Sequence, residues 1–289
     1  YDNSVFISNS SFENNDKAIE IRATDRVILI ESEFKENNTG IYSEYSDYDS
    51  GDNVSDITNT YILNNHFQKN LTGISLNMNQ RNFRNLNLID NEFNSNEIGL
   101  SFGGGGYGPH ADSIYIERNK FLYDINALQL NKIYSNANSQ SDFQIFIQNN
   151  IIISNNPLRL DFVGSTKALI KSNVIKQIQP ESTLSGYTLR ISGRAYNQSL
   201  INNTIISKNR SIQIGGSNSY NPSGITFNDN TLLADTAQNE SLVKIDYGSE
   251  INLNSNNFPA LKNRKYFIEN NTSSNVTSIS SSWGTIDES

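Results

Sequence analysis

The chain has 289 residues, a net charge of −8 and a pI near 4.9, with 36% apolar and 18% charged residues against roughly one half and one quarter in ordinary chains. So acidic a chain argues against a nucleic-acid partner, which needs basic patches to neutralise phosphate, and the chain holds no run of about 18 apolar residues to span a membrane. The absence of cysteine removes disulfides and Cys-ligated metals. Asparagine, by contrast, occurs 46 times. The sequence starts at Tyr1 directly in a strand-like stretch with no signal peptide, so a single domain over 1–289, trimmed from a longer chain, is expected.

Followed from the N-terminus, one pattern recurs: a β-branched strand, then Asn-x-aromatic or aliphatic, about seven residues, then Gly-Ile-x-Leu. Its clearest copies are Ile62 to Leu76, Leu88 to Phe102 and Ile116 to Leu130. The first column reads Ser10, Ser32, Asn65, Asn91, Asn119, Asn150, Asn173, Asn203, Asn230 and Asn256. Two residues later stand Phe12, Phe34, Phe67, Phe93, Phe121, Ile152, Ile175, Ile205, Leu232 and Phe258. A third column, usually nine after the Asn, reads Ile19, Ile41, Ile74, Leu100, Leu128, Leu158, Leu189, Ile212, Val243 and Phe267. The spacing between copies is irregular, as expected where loops vary in length and strands do not.

Each copy holds three short runs of alternating apolar residues, and period-two alternation turns one face inward. One copy cannot bury that face alone, whereas stacked copies share a continuous core. The predicted fold is therefore all-β: a right-handed parallel β-helix, a single-stranded solenoid of about ten coils with three strands each. In-register stacking would set Phe on Phe and Asn on Asn, with the Asn amides bonded along a turn and the Asn itself accepting the left-handed backbone there. A leucine-rich repeat would need several Leu in a fixed frame, which these copies lack.

The Asn-x-Phe and Gly-Ile-x-Leu motifs resemble those of the parallel β-helix proteins that include pectate-lyase-like enzymes, phage tailspikes and NosD-like carbohydrate-binding repeats. The resemblance covers nearly the whole chain. The tail Ser282-Trp283-Gly284-Thr285 is similar to the Trp-Gly-Thr segment of many extracellular β-helix domains, after which more chain follows. The resemblance implies a domain that works outside the cell or on its surface, with a polysaccharide held on the strand of the Gly-Ile-x-Leu motif.

On that strand the first outward row reads Glu20, Tyr42, Ser75, Ser101, Gln129, Arg159, Arg190, Gln213 and Lys244; the second contains Asp161 and Asp246. Arg159, Arg190 and Lys244 would form a row suited to uronate carboxylates or sulfates, with Asp161 and Asp246 beside them. Tyr187 and Tyr196 are expected at the rim, where tyrosine rings stack on sugars, and the connections Lys176 to Tyr187 and Leu233 to Leu242 could wall the strand into a groove. Tyr107, His110, Tyr134, Tyr220 and Tyr247 decorate neighbouring loops. Asp47, Asp49 and Asp52 alternate as Ca²⁺ ligands do, without the bidentate Glu of an EF-hand, so the cofactor is none or Ca²⁺. His66 and His110 lie too far apart in coil order to share a metal. Three readings follow: a surface domain binding an extended, acidic polysaccharide; a lyase, epimerase or hydrolase acting on one; or a stiff surface, filament or spike component, capable of self-association or of carrying further domains.

Overall fold

The structure, a computed structural model, describes residues 4–21, 26–44, 57–77, 82–103, 110–133, 144–162, 166–179, 187–193, 195–208, 210–215, 222–234, 241–259 and 268–283. Its strands form three parallel sheets, and within each sheet the neighbouring strand is always the third one on in the chain. The first sheet runs from Ser4–Ser8 to Val276–Thr277, the second from Ser11–Glu13 to Ser282–Trp283, and the third from Lys17–Glu20 to Ile268–Asn270. The chain thus climbs as a parallel β-solenoid, and no helix occurs among the described residues. Among the described residues two sheets hold eleven strands and the third ten, a coil count that differs from the approximate ten expected.

The first column is one unbroken ladder. From Asn91 to Asn256 each Oδ1 accepts from the backbone N–H and the Nδ2 of the Asn before it: Asn91 donates to Asn119 at 2.9 and 3.0 Å, and Asn203 to Asn230 at 2.9 and 2.9 Å. Each Nδ2 also reaches a backbone carbonyl of the preceding coil, as Asn91 does to Ile62 at 2.7 Å. Serine hydroxyls close both ends, Ser32 toward Ser10 and Ser281 toward Asn256. These amides are fully buried yet satisfied, which is the condition for polar groups inside a core.

One expectation is corrected here. The left-handed backbone belongs to the residue before the ladder Asn: Asn64 (φ 54°), Asp90 (57°), Arg118 (53°), Asn149 (56°) and Ser172 (56°). That residue turns the corner, and its rotation directs the next side chain inward. The same device recurs at Asn14, Glu36, Lys69, Ser95 and Tyr123. It creates a second ladder that starts at the exposed Asn15, runs through the buried Asn37, Asn70 and Asn96, and ends on Asp124.

The aromatic column stacks as expected, with Phe12, Phe34, Phe67, Phe93 and Phe121 at centroid separations of 5.0, 4.7, 4.8 and 4.5 Å. These rings explain the motif's glycine. A β-carbon on Gly73 would lie 2.6 Å from the Gly99 carbonyl oxygen and 3.0 Å from the Phe93 ring. The third column also holds, except at its last member: Val243 pairs with Ile268, not Phe267, because register across the last coil is set by pairing and not by count.

Candidate functional site

The third sheet builds its outer face from an uneven spacing. In successive coils two neighbouring residues turn inward together, Ala127 with Leu128, Pro157 with Leu158, and Thr188 with Leu189. Outward side chains are therefore three apart, in two columns: Asn126, Asn156 and Tyr187 in one, Gln129, Arg159 and Arg190 in the other. Register confirms the expected outward row, in which Gln129 pairs Arg159, Arg159 pairs Arg190, Arg190 pairs Gln213 and Gln213 pairs Lys244; the row then continues to Glu269.

Between those columns, over Leu158, lies a pocket of about 120 Å³ walled by Asn126, Asn156, Tyr187, Gln129, Arg159 and Arg190. Arg159 is exposed and Arg190 half-buried, one rung apart, which is about 4.8 Å along the solenoid. Burial lowers the pKa of Arg190 and the adjacent Arg159 guanidinium lowers it further, while Asp161, Tyr187 and Asp246 act in the opposite sense. Neither arginine makes an ion pair with a described residue. Two buried atoms here have no hydrogen-bond partner, Arg190 Nε and Asn156 Oδ1, although Asn156 Nδ2 donates to Asn126 Oδ1 at 3.1 Å. A buried donor without a partner costs about 1–3 kcal/mol. The pocket therefore holds surplus positive charge, an unused donor and an unused acceptor, a set that a ligand bearing an anionic group beside a hydroxyl would satisfy.

Lys244 belongs to a different arrangement. Its Nζ lies 3.1 Å from Asp246 Oδ1, and Asp246 also accepts from Gln213 Nε2 at 2.7 Å and Asn271 Nδ2 at 3.1 Å. Burial would raise the Asp246 pKa, but the bonds from Gln213, Asn271 and Lys244 outweigh it and hold the carboxyl below its ordinary value. At Lys244 burial opposes the charge, and the bond and charge of Asp246 prevail and raise the pKa. The third cation of the row is thus neutralised, and the available charge is concentrated on two.

Of the other expected site residues, Asp161 follows Arg159 on its strand, in register with Ser192. Tyr187 is only 5% exposed, a buried wall of the pocket and not a ring at its rim. Tyr196 is not among the pocket's residues. It pairs with Ser223 at the corner leading into the first sheet. His66 sits on the second sheet with Nδ1 3.7 Å from Glu92 Oε1, and His110 begins a strand of the first sheet. Asp47, Asp49, Asp52, Tyr107, Tyr134, Tyr220, residues 180–186 and 235–240 of the two connections, and residues 284–289 of the tail lie outside the described residues. Among the described residues no group of three His, Asp or Glu is placed to hold a metal ion. Sequence reasoning missed Asn126 and Asn156, because strict alternation does not place residues three apart on one face. The adjacent pair Pro157-Leu158, a small inward residue before the apolar one, was the available signal.

Comparison with known proteins returns no match: no family model, no curated protein and no solved structure matches this chain. The fold places it in the class of parallel β-solenoids, and no helix among the described residues is long and apolar enough to cross a membrane.

Proposed function

We propose that this is an extracellular or cell-surface domain, similar to the pectate-lyase-like and NosD-like β-helix proteins, that binds an extended acidic polysaccharide along its third sheet. The observation that carries the reading is the pair of unneutralised arginines, Arg159 and Arg190, sharing a pocket with two orphaned polar atoms. A half-buried cation without a counter-ion is a cost to folding, and a uronate or sulfate offsets it on binding through charge-assisted hydrogen bonds. Net charge does not oppose this, since the local field in a cleft governs binding. Binding is favoured over catalysis because the described residues lining the pocket include no carboxylate or imidazole. A stiff-rod role is the second reading, supported by the unbroken Asn ladder.

Titration with uronate and sulfated oligosaccharides tests the proposal. The Arg159→Ala/Arg190→Ala variant should bind at least about tenfold more weakly, the equivalent of one lost charged hydrogen bond. Wild-type affinity should fall as salt rises. Equal binding by the double variant, or none by the wild type at millimolar ligand, removes the polysaccharide reading and leaves the rod.

A further inference from the structure

A second concavity lies at the corner that carries the chain from the third sheet into the first. The corner is formed by Tyr196, Ser223 and Ser249, which bridge one another across successive coils, each followed by a residue in the left-handed region: Asn197 (φ 53°), Gly224 (67°) and Glu250 (54°). At Gly224 the positive φ favours glycine, and a β-carbon there would stand 2.3 Å from Asn197 Oδ1 unless that side chain moved. Beside this corner runs an outward row of the first sheet. Register gives it as Tyr61, Asn87, Tyr115, Phe146 and Leu169, then Ser199, Thr226, Asn252 and Thr277. Apart from Asn87, the column changes from aromatic and aliphatic to hydroxyl and amide after Leu169, and the concavity lies on its polar end.

The resulting open, shallow groove spans about 810 Å³ and is lined by serine, threonine, asparagine and glycine, with Glu250 as its single charged residue. It extends from Asn197 to Thr277 over four rungs, about 14 Å along the solenoid. The side chains of Thr226, Asn252 and Thr277 have no hydrogen-bond partner among the described residues, unlike the saturated amides of the internal ladders. Ser249 Oγ donates to Ser223 Oγ at 3.1 Å, and Ser223 Oγ to Glu250 Oε2 at 3.3 Å, which fixes the hydroxyl directions along one wall. Tyr196, next to Asn197, is 37% exposed.

We infer that this groove is a second binding site and that it takes a neutral glycan. Hydroxyls and amides both donate and accept, as ring hydroxyls do, so a row of them one rung apart suits a chain of sugars lying along the axis. The lone carboxylate, with no lining cation, disfavours uronates and sulfates. A peptide strand is disfavoured along most of the groove because the backbone groups of its inner rungs are already paired, and strand addition could occur only at the last strand, Val276–Thr277.

The site stands independently of the arginine pocket, and two sets of variants separate them. The probes are cellohexaose, xylohexaose and mannohexaose, followed by amide NMR shifts and calorimetry. At least one should perturb the amides of Thr226, Asn252 and Thr277. Asn252→Ala and Thr277→Ala should each weaken binding at least tenfold, with Thr226→Ala as a third variant if either fails to fold. Added salt and the Arg159→Ala/Arg190→Ala change should leave this binding unaltered. The inference is overturned if no neutral oligosaccharide perturbs these amides at millimolar concentration, if the groove variants bind as wild type, or if the arginine variant abolishes the effect.

Discussion

Replacing Asp124 with asparagine tests the logic of the internal ladders. In the buried part of the second ladder each Asn Nδ2 donates to the phenylalanine carbonyl of the preceding coil: Asn37 to Phe12 at 3.0 Å, Asn70 to Phe34 at 2.9 Å and Asn96 to Phe67 at 3.1 Å. Asp124 keeps only the accepting half. Its Oδ1 takes the Asn96 N–H at 2.7 Å and Nδ2 at 2.9 Å, while its Oδ2 is buried without a partner. By the pattern of the ladder, Oδ2 stands where an amide nitrogen would donate to the Phe93 carbonyl.

Burial pushes the Asp124 pKa up from 3.8 to about 7, against the opposing bonds from Asn96. The folded state therefore holds the proton more tightly than the unfolded one. This contribution is fully present below about pH 4, declines as pH rises, and is lost once pH passes the folded value. A shift of about three units, at 1.36 kcal/mol each, sets a ceiling of about 4 kcal/mol. The neutral amide of the Asp124→Asn variant carries no such penalty and restores the missing donor. The variant should thus match or exceed wild type at pH 5 and exceed it by several kcal/mol at pH 8, on the order of 10 °C in Tm for a chain this size. Thermal melts followed by circular dichroism from pH 5 to 8 read the gap, which should widen across the series. A constant gap, or a variant less stable than wild type at pH 8, would refute the reasoning.

Two further outcomes follow from the packing and the pocket. Phe93 is fully buried, with Phe67 and Phe121 at 4.8 and 4.5 Å, so Phe93→Ala should cost about 3–5 kcal/mol in urea denaturation, and a loss under about 1 kcal/mol would show that the stack collapses to fill the gap. Arg190→Met keeps the apolar stem and removes a half-buried charge that no described carboxylate contacts as an ion pair, although Asp161 and Asp246 act on it from a distance, so Tm should hold or rise while acidic-oligosaccharide binding is lost; a clear drop in Tm would mark Arg190 as a structural cation.

The sequence by itself determined the columns. In a parallel solenoid each coil lies on the one before in register, so a residue recurring once per copy becomes a continuous physical column. The Asn ladder, the Phe stack and the outward row containing Arg159 and Arg190 were legible for that reason. The tertiary structure decided what depends on corners and on contacts between coils. The left-handed position fell on Asn64 and its equivalents because corner geometry, not residue preference, assigns it. The second ladder ending on Asp124 escaped notice because its spacing from the first ladder is local and its burial is not. In the candidate site the two arginines were readable as a charge row. Only register and side-chain pairing showed that Asp246 neutralises Lys244, that Tyr187 is a buried wall, and that Asn156 completes the pocket. Tyr196 went to another corner altogether, because three residues past the end of a strand the chain has already turned toward the next sheet. Periodicity states which way a side chain faces, while its neighbours across rungs depend on bulges and turns that alternation does not encode.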